Sequence, residues 1–414
     1  MSKKTPSVSQ TIDCVILHYN EIGLKGKNRP YFIQRLVRRI EQAARPHRPG
    51  QLQKLSGRLL LEIDENTDWD GLRDALSYVF GLAYFARAQK FPLDLDTVAE
   101  GVLEMISPMC ITSIAVRTRR EHKGVLASAR EWDPAIGARI QARRHLPVDL
   151  SDPTLTVHIE ALRDQAIIYA EKVPGPGGLP VGASGKVAAM LSGGIDSPVA
   201  ARRIMKRGCE VIFVHFHGAP YLSRASAEKA HDLAEILDSH QMGSRLYLIP
   251  FGTLQKDLVL AAPAAERVVL YRRFMARITE RIADLEGATA IVTGESLAQV
   301  ASQTLSNMAA IEEAVSIPVL RPLIGMDKEE IIVEAKAMGS FDISIEPDQD
   351  CCSLFVPKHP ATRSKAEQLR RIEAGVPVDD MISRALIQSE ILVIGAGKKT
   401  SRMPFTETHP TPAK

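Results

Sequence analysis

A chain of 414 residues exceeds the usual size of one hydrophobic core, and its apolar share of 45% is mostly aliphatic with only 5% aromatic residues, so two or three domains with α/β layers fit better than a β-sandwich. No apolar run is long enough to cross a bilayer and the opening MSKKTPSVSQT lacks the apolar centre of a secretory signal, so a cytoplasmic protein without membrane attachment is expected. Five cysteines (Cys14, Cys110, Cys209, Cys351 and Cys352) with no C-x-x-C spacing suggest neither a disulfide framework nor a zinc site, and a formal charge of +3 declares no nucleic-acid partner by itself.

Charge is nevertheless uneven. Residues 1–172 hold 25 Lys+Arg against 21 Asp+Glu; Gly23 to Arg48 carries eight bases and one acid, and Arg117 to Arg144 eight bases and three acids. In chain order, CVILHY and RLLLEI read as strands, Arg29 to Ala44 has helical periodicity, and LTVHIEALRDQAIIYAEKV reads as a hairpin turning at Arg163-Asp164. The first part is therefore expected to hold two α+β units, 1–66 and 67–172. Residues 173–185, with three prolines and five glycines, cannot form continuous helix or central strand and read as a linker.

Beyond it the strands KVAAML, EVIFVHF, RLYLIPF and TAIVTG alternate with helical stretches at Ser197–Lys206, Ala225–His240, Ala264–Asp284 and Ser296–Ala309. That alternation predicts a doubly wound parallel sheet over 186–395, with a tail at 396–414 and ligands beyond the carboxyl ends of the strands.

At the end of KVAAML the chain passes from strand to helix through Ser192-Gly193-Gly194. Two glycines let backbone N–H groups converge, and the following helix N-terminus favours an anion of phosphate size. Neither the Walker pattern nor G-x-G-x-x-G is present. Asp196 can hold Mg²⁺ against phosphate oxygens and Ser197 can donate a hydroxyl; a plain turn with Asp196 as helix cap is the alternative.

S-G-G-I-D-S after an apolar strand resembles the PP-loop of ATP pyrophosphatases, which cleave ATP between the α- and β-phosphates. NEIGLKGKNRPYF, GGLPVG, GKVAAMLSGGIDSPVAARRIMKRG, TGESLAQVASQTL, PVLRPLIGMDKEEI and DCCSLFVPKHPATR, in this order over nearly the whole chain, resemble the tRNA 4-thiouridine synthetase family, ThiI. The resemblance implies ferredoxin-like and THUMP domains that bind tRNA, followed by a PP-loop domain that adenylates a uridine for sulfur insertion. It further implies that Met190, Leu191, His215, Phe216, Arg272, Gly294 and Gln303 line an ATP site. A dimer and a cysteine desulfurase as sulfur donor are implied as well.

Read by themselves, His215 and Phe216 sit at a strand end, and Gly294 lets a ligand approach the backbone. Gln299 and Gln303 are neighbours on the expected helix. Arg273, Arg277 and Arg281 read as a solvated basic face. Lys328 follows a capping Asp327, where the helix dipole disfavours a cation, so an anionic partner is expected, the departing pyrophosphate or the activated tRNA, with a flexible surface lysine as the plainer alternative. The pair Cys351-Cys352 follows the acidic EPDQD, which argues against a reactive thiol, with Lys358 and Arg363 as possible compensation; the resemblance places the sulfur-transfer cysteine in this segment, Cys352 being preferred.

Lys25, Lys27 and Arg29, then Arg117, Arg119 and Arg120, then Arg143 and Arg144, are the candidate tRNA-phosphate contacts. Some family members add a rhodanese-like domain with a second catalytic cysteine. No cysteine follows Cys352 here, so sulfur is expected to arrive directly from a partner, and the thiamine role tied to that domain is not expected. A small-molecule amide-forming ATP pyrophosphatase would not need basic N-terminal domains, and a non-catalytic tRNA binder would not need the intact turn and Asp196.

Overall fold

The computed structural model describes residues 12–121, 125, 129–347, 351, 354–355, 357, 359–395 and 398–406. The chain divides into two compact units, Met1–Gly178 and Leu179–Lys414, the division falling inside the Pro/Gly-rich stretch. Among the described residues no helix is long and apolar enough to cross a membrane, and Cys14, Cys110, Cys209 and Cys351 are in no disulfide.

The first unit is built on one sheet. Its strands are β1 (Ile12–His18), β2 (Leu52–Leu55), β3 (Arg58–Glu62), β4 (Tyr84–Pro92), β5 (Ile114–Arg120), β6 (Leu155–Ala161), β7 (Gln165–Tyr169) and β8 (Val173–Pro174). They lie in the order β2-β3-β1-β4-β7-β6-β5, with β8 against β4. Strand β4 pairs with β1 over Tyr84 to Lys90 and with β7 over Gln89 to Pro92, so one long strand joins the two halves of the sheet. The β6-β7 hairpin turns at the expected Arg163-Asp164.

Helices α1 (Arg29–Ala44), α2 (Trp69–Ser77), α3 (Leu95–Ile106) and α4 (Ala129–Arg144) complete the unit. Asp68 and Asp94 start α2 and α3 by accepting from Gly71 N and Thr97 N, the usual service of an aspartate at an N-cap. Val98, Val102 and Ile106 of α3 and Ile136 and Ile140 of α4 pack with Val116, Val157, Ile159 and Ile168 of the sheet.

The second unit has strands β9 (Lys186–Met190), β10 (Glu210–His217), β11 (Ser244–Pro250), β12 (Ile291–Val292), β13 (Val319–Leu320), β14 (Glu390–Gly395) and β15 (Lys398–Pro404) in the order β13-β12-β9-β10-β11-β14-β15. The first five in that order run parallel; β14 and β15 are antiparallel additions. Its helices are α5 (Asp196–Lys206), α6 (Ala225–Asp238), α7 (Gly252–Ala261), α8 (Arg267–Glu286), α9 (Leu305–Glu312), α10 (Lys328–Ala337), α11 (Phe341–Ser344), α12 (Ala366–Glu373) and α13 (Val378–Ile387). From β9 the chain builds outward through β10 and β11 on one side and returns to lay β12 and β13 on the other. The crevice beyond β9 and β12 is thus the switch point of a doubly wound sheet, where ligands bind.

Two expectations are corrected. The helix expected at Ser296–Ala309 is an irregular loop with Ala298 at φ 63°, a short 3-10 turn at Ala301–Gln303 and then α9, which starts only where Thr304 accepts from Asn307 N. Nor is the whole arginine row of α8 a solvated face: Arg281 is exposed, but Arg273 is buried, donating to Glu373 through Nε (2.7 Å) and to Glu313 through Nη1 (2.8 Å), and Arg277 joins Glu373. Burying a guanidinium requires such carboxylates, and α9 and α12 supply them or their flanks.

Candidate functional site

The turn after β9 is closed by its own serines. Ser192 N donates to Ser197 Oγ at 2.8 Å, the two hydroxyls lie 3.0 Å apart, and Gly194 N donates to Ser192 Oγ at 3.2 Å. Ser197 is buried and its hydroxyl serves the turn, rather than standing free as the expected phosphate donor. Neither Gly193 nor Gly194 has positive φ, so a left-handed backbone is not what places glycine here.

Ile195, not Asp196, is the N-cap of α5, and no side chain caps that helix. This excludes Asp196 as a simple cap and leaves the N–H groups of the first turn for an anion. The Asp196 carboxylate is engaged elsewhere: Lys328 Nζ donates to Oδ1 at 2.6 Å and Gln299 Nε2 to Oδ2 at 2.8 Å. The anion beside Lys328 at the start of α10 is thus Asp196 of the chain itself rather than the expected pyrophosphate or tRNA, with Asp327 in a full capping box behind it.

Met190, Leu191, Ser192, Asp196, Ser197, His215, Phe216, Arg272, Gly294, Gln303 and Cys351 share the lining of one cavity of about 250 Å³. Met190 pairs with Val214 in the sheet, Leu191 N donates to Val214 O, and His215 returns a hydrogen bond from Nδ1 to Leu191 O at 2.8 Å. The two strand ends are thereby locked side by side. Gly294 is needed for a different reason from the one expected: a Cβ there would stand 2.7 Å from Ser197 N and 2.8 Å from Ser197 Cα, so it lets the loop after β12 approach the start of α5.

Sequence reasoning missed Glu295. Its carboxylate, buried, holds Arg272 Nη1 at 2.9 Å and Arg321 Nε at 2.8 Å and accepts from Thr293 Oγ1 at 3.0 Å. Its only sequence signal is its place next to Gly294. Two buried atoms along the cavity wall have no partner, Gln303 Oε1 and Arg272 Nε. An acceptor and a donor left open there fit a polar ligand such as the base or phosphates of a nucleotide.

Cys351 is 2% exposed, packs with the core around α8, and its carbonyl accepts from Gln255 Nε2 of α7 at 2.8 Å. Cys352 and Lys358 lie outside the described residues.

The first unit carries a second cavity, of about 130 Å³, lined by Tyr84, Arg117, Thr118, Arg119, His158, Ile159, Glu160, Tyr169 and Lys172. Burial and then the charges of Lys172 and Arg117 push the His158 imidazole down to about 4; burial, Arg119 and Arg117 hold the Lys172 ammonium below its ordinary range. The local field is positive, as an anion site requires. Alternation along β5 puts Arg117 and Arg119 on the exposed side and Arg120 on the other. Lys172 was not singled out from sequence because it follows Glu171 in an otherwise ordinary strand end.

The remaining basic candidates do not line this cavity. Lys25 pairs with Glu21 at 3.3 Å, Lys27 is exposed, and Arg29 donates to Tyr19 Oη at 3.2 Å. Arg143 pairs with Glu100 at 2.7 Å and Arg144 donates to Ser107 O.

A parallel sheet with an uncapped glycine-serine turn at its switch point, an acid beside that turn and open polar atoms in the adjoining cavity defines a PP-loop domain. Three successive parts of the chain are matched by the ThiI ferredoxin-like domain (residues 14–86), the THUMP domain (93–171) and the thiamine biosynthesis protein ThiI (182–378). It is 43% identical over 378 residues to a probable tRNA sulfurtransferase of Thermus thermophilus, covering 90% of this chain and 92% of the relative, and 39% identical to that of Nocardia farcinica, covering 92% and 94%. The crystal structure of a 4-thiouridine synthetase–RNA complex with bound ATP superposes with a TM-score of 0.84 at 36% identity, covering 92% of this chain and all of that one. The chain belongs to the tRNA sulfurtransferase family.

Proposed function

We propose that the protein is an ATP-dependent tRNA uridine 4-sulfurtransferase. The observation that carries the reading is that the phosphate-type turn, Asp196, Arg272 and the thiol-bearing residue Cys351 line one cavity, so activation and sulfur transfer can share a site. ATP lies with its phosphates at the start of α5 and its base toward Phe216 and Gln303. Asp196, a hard oxygen donor, is the residue that would hold Mg²⁺, which offsets charge on the phosphate oxygens.

The uridine O4 attacks the α-phosphorus and pyrophosphate leaves, which turns a poor leaving oxygen into AMP. The terminal sulfur of a persulfide on Cys351 or Cys352, loaded by a cysteine desulfurase, attacks C4 and AMP departs. A thiol, the neighbouring cysteine or an external reductant, then breaks the S–S bond and releases 4-thiouridine. Holding both reacting parts in one cavity supplies much of the acceleration. Arg117, Arg119 and Lys172, with Lys25, Lys27 and Arg29, are the contacts to tRNA phosphate, giving affinity rather than sequence readout. The implied dimer belongs to the same reading.

The test is ATP–pyrophosphate exchange with and without tRNA. Exchange that depends on tRNA, and is lost in Asp196→Ala while tRNA binding stays near normal, supports the reading. Turnover at the normal rate in that variant overturns it.

A further inference from the structure

Gln299 lines the same cavity without a role in the reading above, and it touches the acid at its centre. Asp196 receives two different donors, the neutral carboxamide of Gln299 on Oδ2 and the ammonium of Lys328 on Oδ1. Both come from one braced piece of chain. Leu297 N donates to Ile324 O, and Ser296 Oγ to Met326 O at 2.8 Å, tying the loop that carries Gln299 to the segment that leads into α10 and Lys328. Ala298, at φ 63°, turns the loop back so that its N–H meets Gln303 O and Gln299 projects at Asp196. Helices α5 and α10 are joined by the two-point ion pair of Arg203 with Glu334, so Asp196 and Lys328 face each other from fixed helix starts.

We infer that Gln299 is the positioning residue of Asp196: it holds Oδ2 so that Oδ1 alone is presented to a cation, and the Lys328 ammonium and a divalent cation are alternative occupants of Oδ1. This rests on the proposal that Asp196 is the metal ligand. A small divalent cation bonds a carboxylate oxygen at about 2.0–2.1 Å, and a second positive group cannot share that oxygen at hydrogen-bond distance without strong repulsion. When the metal takes Oδ1, the lysine is released toward the phosphate oxygens at the start of α5. A neutral donor on Oδ2 suits both states. A carboxylate at 299 would repel Asp196, and a second lysine would neutralise it.

The test is Mn²⁺ binding to the full-length protein in the presence of an ATP analogue with a methylene bridge between the α- and β-phosphates, followed by the electron paramagnetic resonance signal of free Mn²⁺. Gln299→Ala and the near-isosteric Gln299→Met are expected to weaken Mn²⁺ binding by about 10- to 100-fold, the usual effect of removing the group that orients a metal ligand. Their thermal unfolding should stay unchanged, and Mn²⁺ binding should fall more than their affinity for the analogue measured without metal, a split that a merely structural role of Gln299 would not produce. Lys328→Met is expected to tighten Mn²⁺ binding because the competitor is gone. If Asp196→Ala binds Mn²⁺ as well as the parent, the metal assignment itself falls. If Asp196→Ala abolishes binding but both Gln299 variants bind normally, that assignment stands and the positioning role is overturned; failure of Lys328→Met to tighten binding overturns the exchange.

Discussion

Replacing Glu295 by alanine removes the carboxylate that joins Arg272, on the cavity wall, to Arg321. The Arg321 side chain is 12% exposed and keeps Glu312 at 2.6 Å, whereas Arg272, at 24%, loses the carboxylate that orients it. Breaking a buried pair on one side costs about 3–5 kcal/mol, and the surviving Glu312 contact and the partial exposure of Arg272 place this case near 3. For a unit of this size that corresponds to a fall in melting temperature of about 6–12 °C. Under the proposed function, an arginine no longer held over the cavity would also lose its charge-assisted contact to the nucleotide, and the ATP KM is expected to rise by about 10- to 100-fold. Glu295→Gln keeps the shape without the charge and should fall between the two. Scanning calorimetry and pyrophosphate exchange as a function of ATP read the two effects separately. A Glu295→Ala protein that melts within about 2 °C of the parent and keeps its ATP KM would refute the argument that this carboxylate sets Arg272.

Three further outcomes are expected. Cys351→Ser and Cys352→Ser should each keep tRNA-dependent pyrophosphate exchange, while the one that carries the persulfide makes no 4-thiouridine; normal thiolation by the double variant would remove the covalent step. In the full-length protein, Arg119→Ala with Lys172→Ala should weaken tRNA binding at low salt and reduce the slope of log K against log salt by about 2, whereas an unchanged slope would show that this cavity does not meet phosphate. Burial, followed by His215 and Arg224, pushes the His217 imidazole from 6.5 down to about 4. The unfolded chain therefore binds the proton first, so this stabilisation is complete above pH 6.5 and is lost as pH falls toward 4, by about 3 kcal/mol at most. Chemical denaturation between those values should show His217→Gln losing less stability than the parent, and an identical loss would mean the group titrates normally.

What could be read from sequence was local. The strands of the second unit and the turn at Ser192-Gly193-Gly194 are contiguous, so apolar runs, glycines and the following helix declare them together. The stretch from Ser296 to Ala309 misled because SLAQVASQTL has helical composition and no glycine or proline; the stop comes from the Thr304 cap and from hydrogen bonds to Ile324 and Met326. Arg273 misled in the same way, since Glu313 and Glu373, which draw it inward, lie 40 and 100 residues away. Likewise Lys172 joins Arg117 and Arg119 only because β4, β5, β6 and β7 lie side by side.

The start of α5 shows why local rules fail at the site in particular. Asp196 and Ser197 are both good capping residues, and a cap there would be worth about 1 kcal/mol. Neither serves: Ser197 closes the turn onto Ser192, and Asp196 faces Gln299 and Lys328. A capping side chain would occupy the same N–H groups that the phosphates of the proposed ATP would have to reach, so on that reading the uncapped start is a condition of binding rather than a defect. The stability given up there is offset by long-range contacts, the Arg203–Glu334 pair and the serine bonds of the turn, which sequence spacing alone does not reveal.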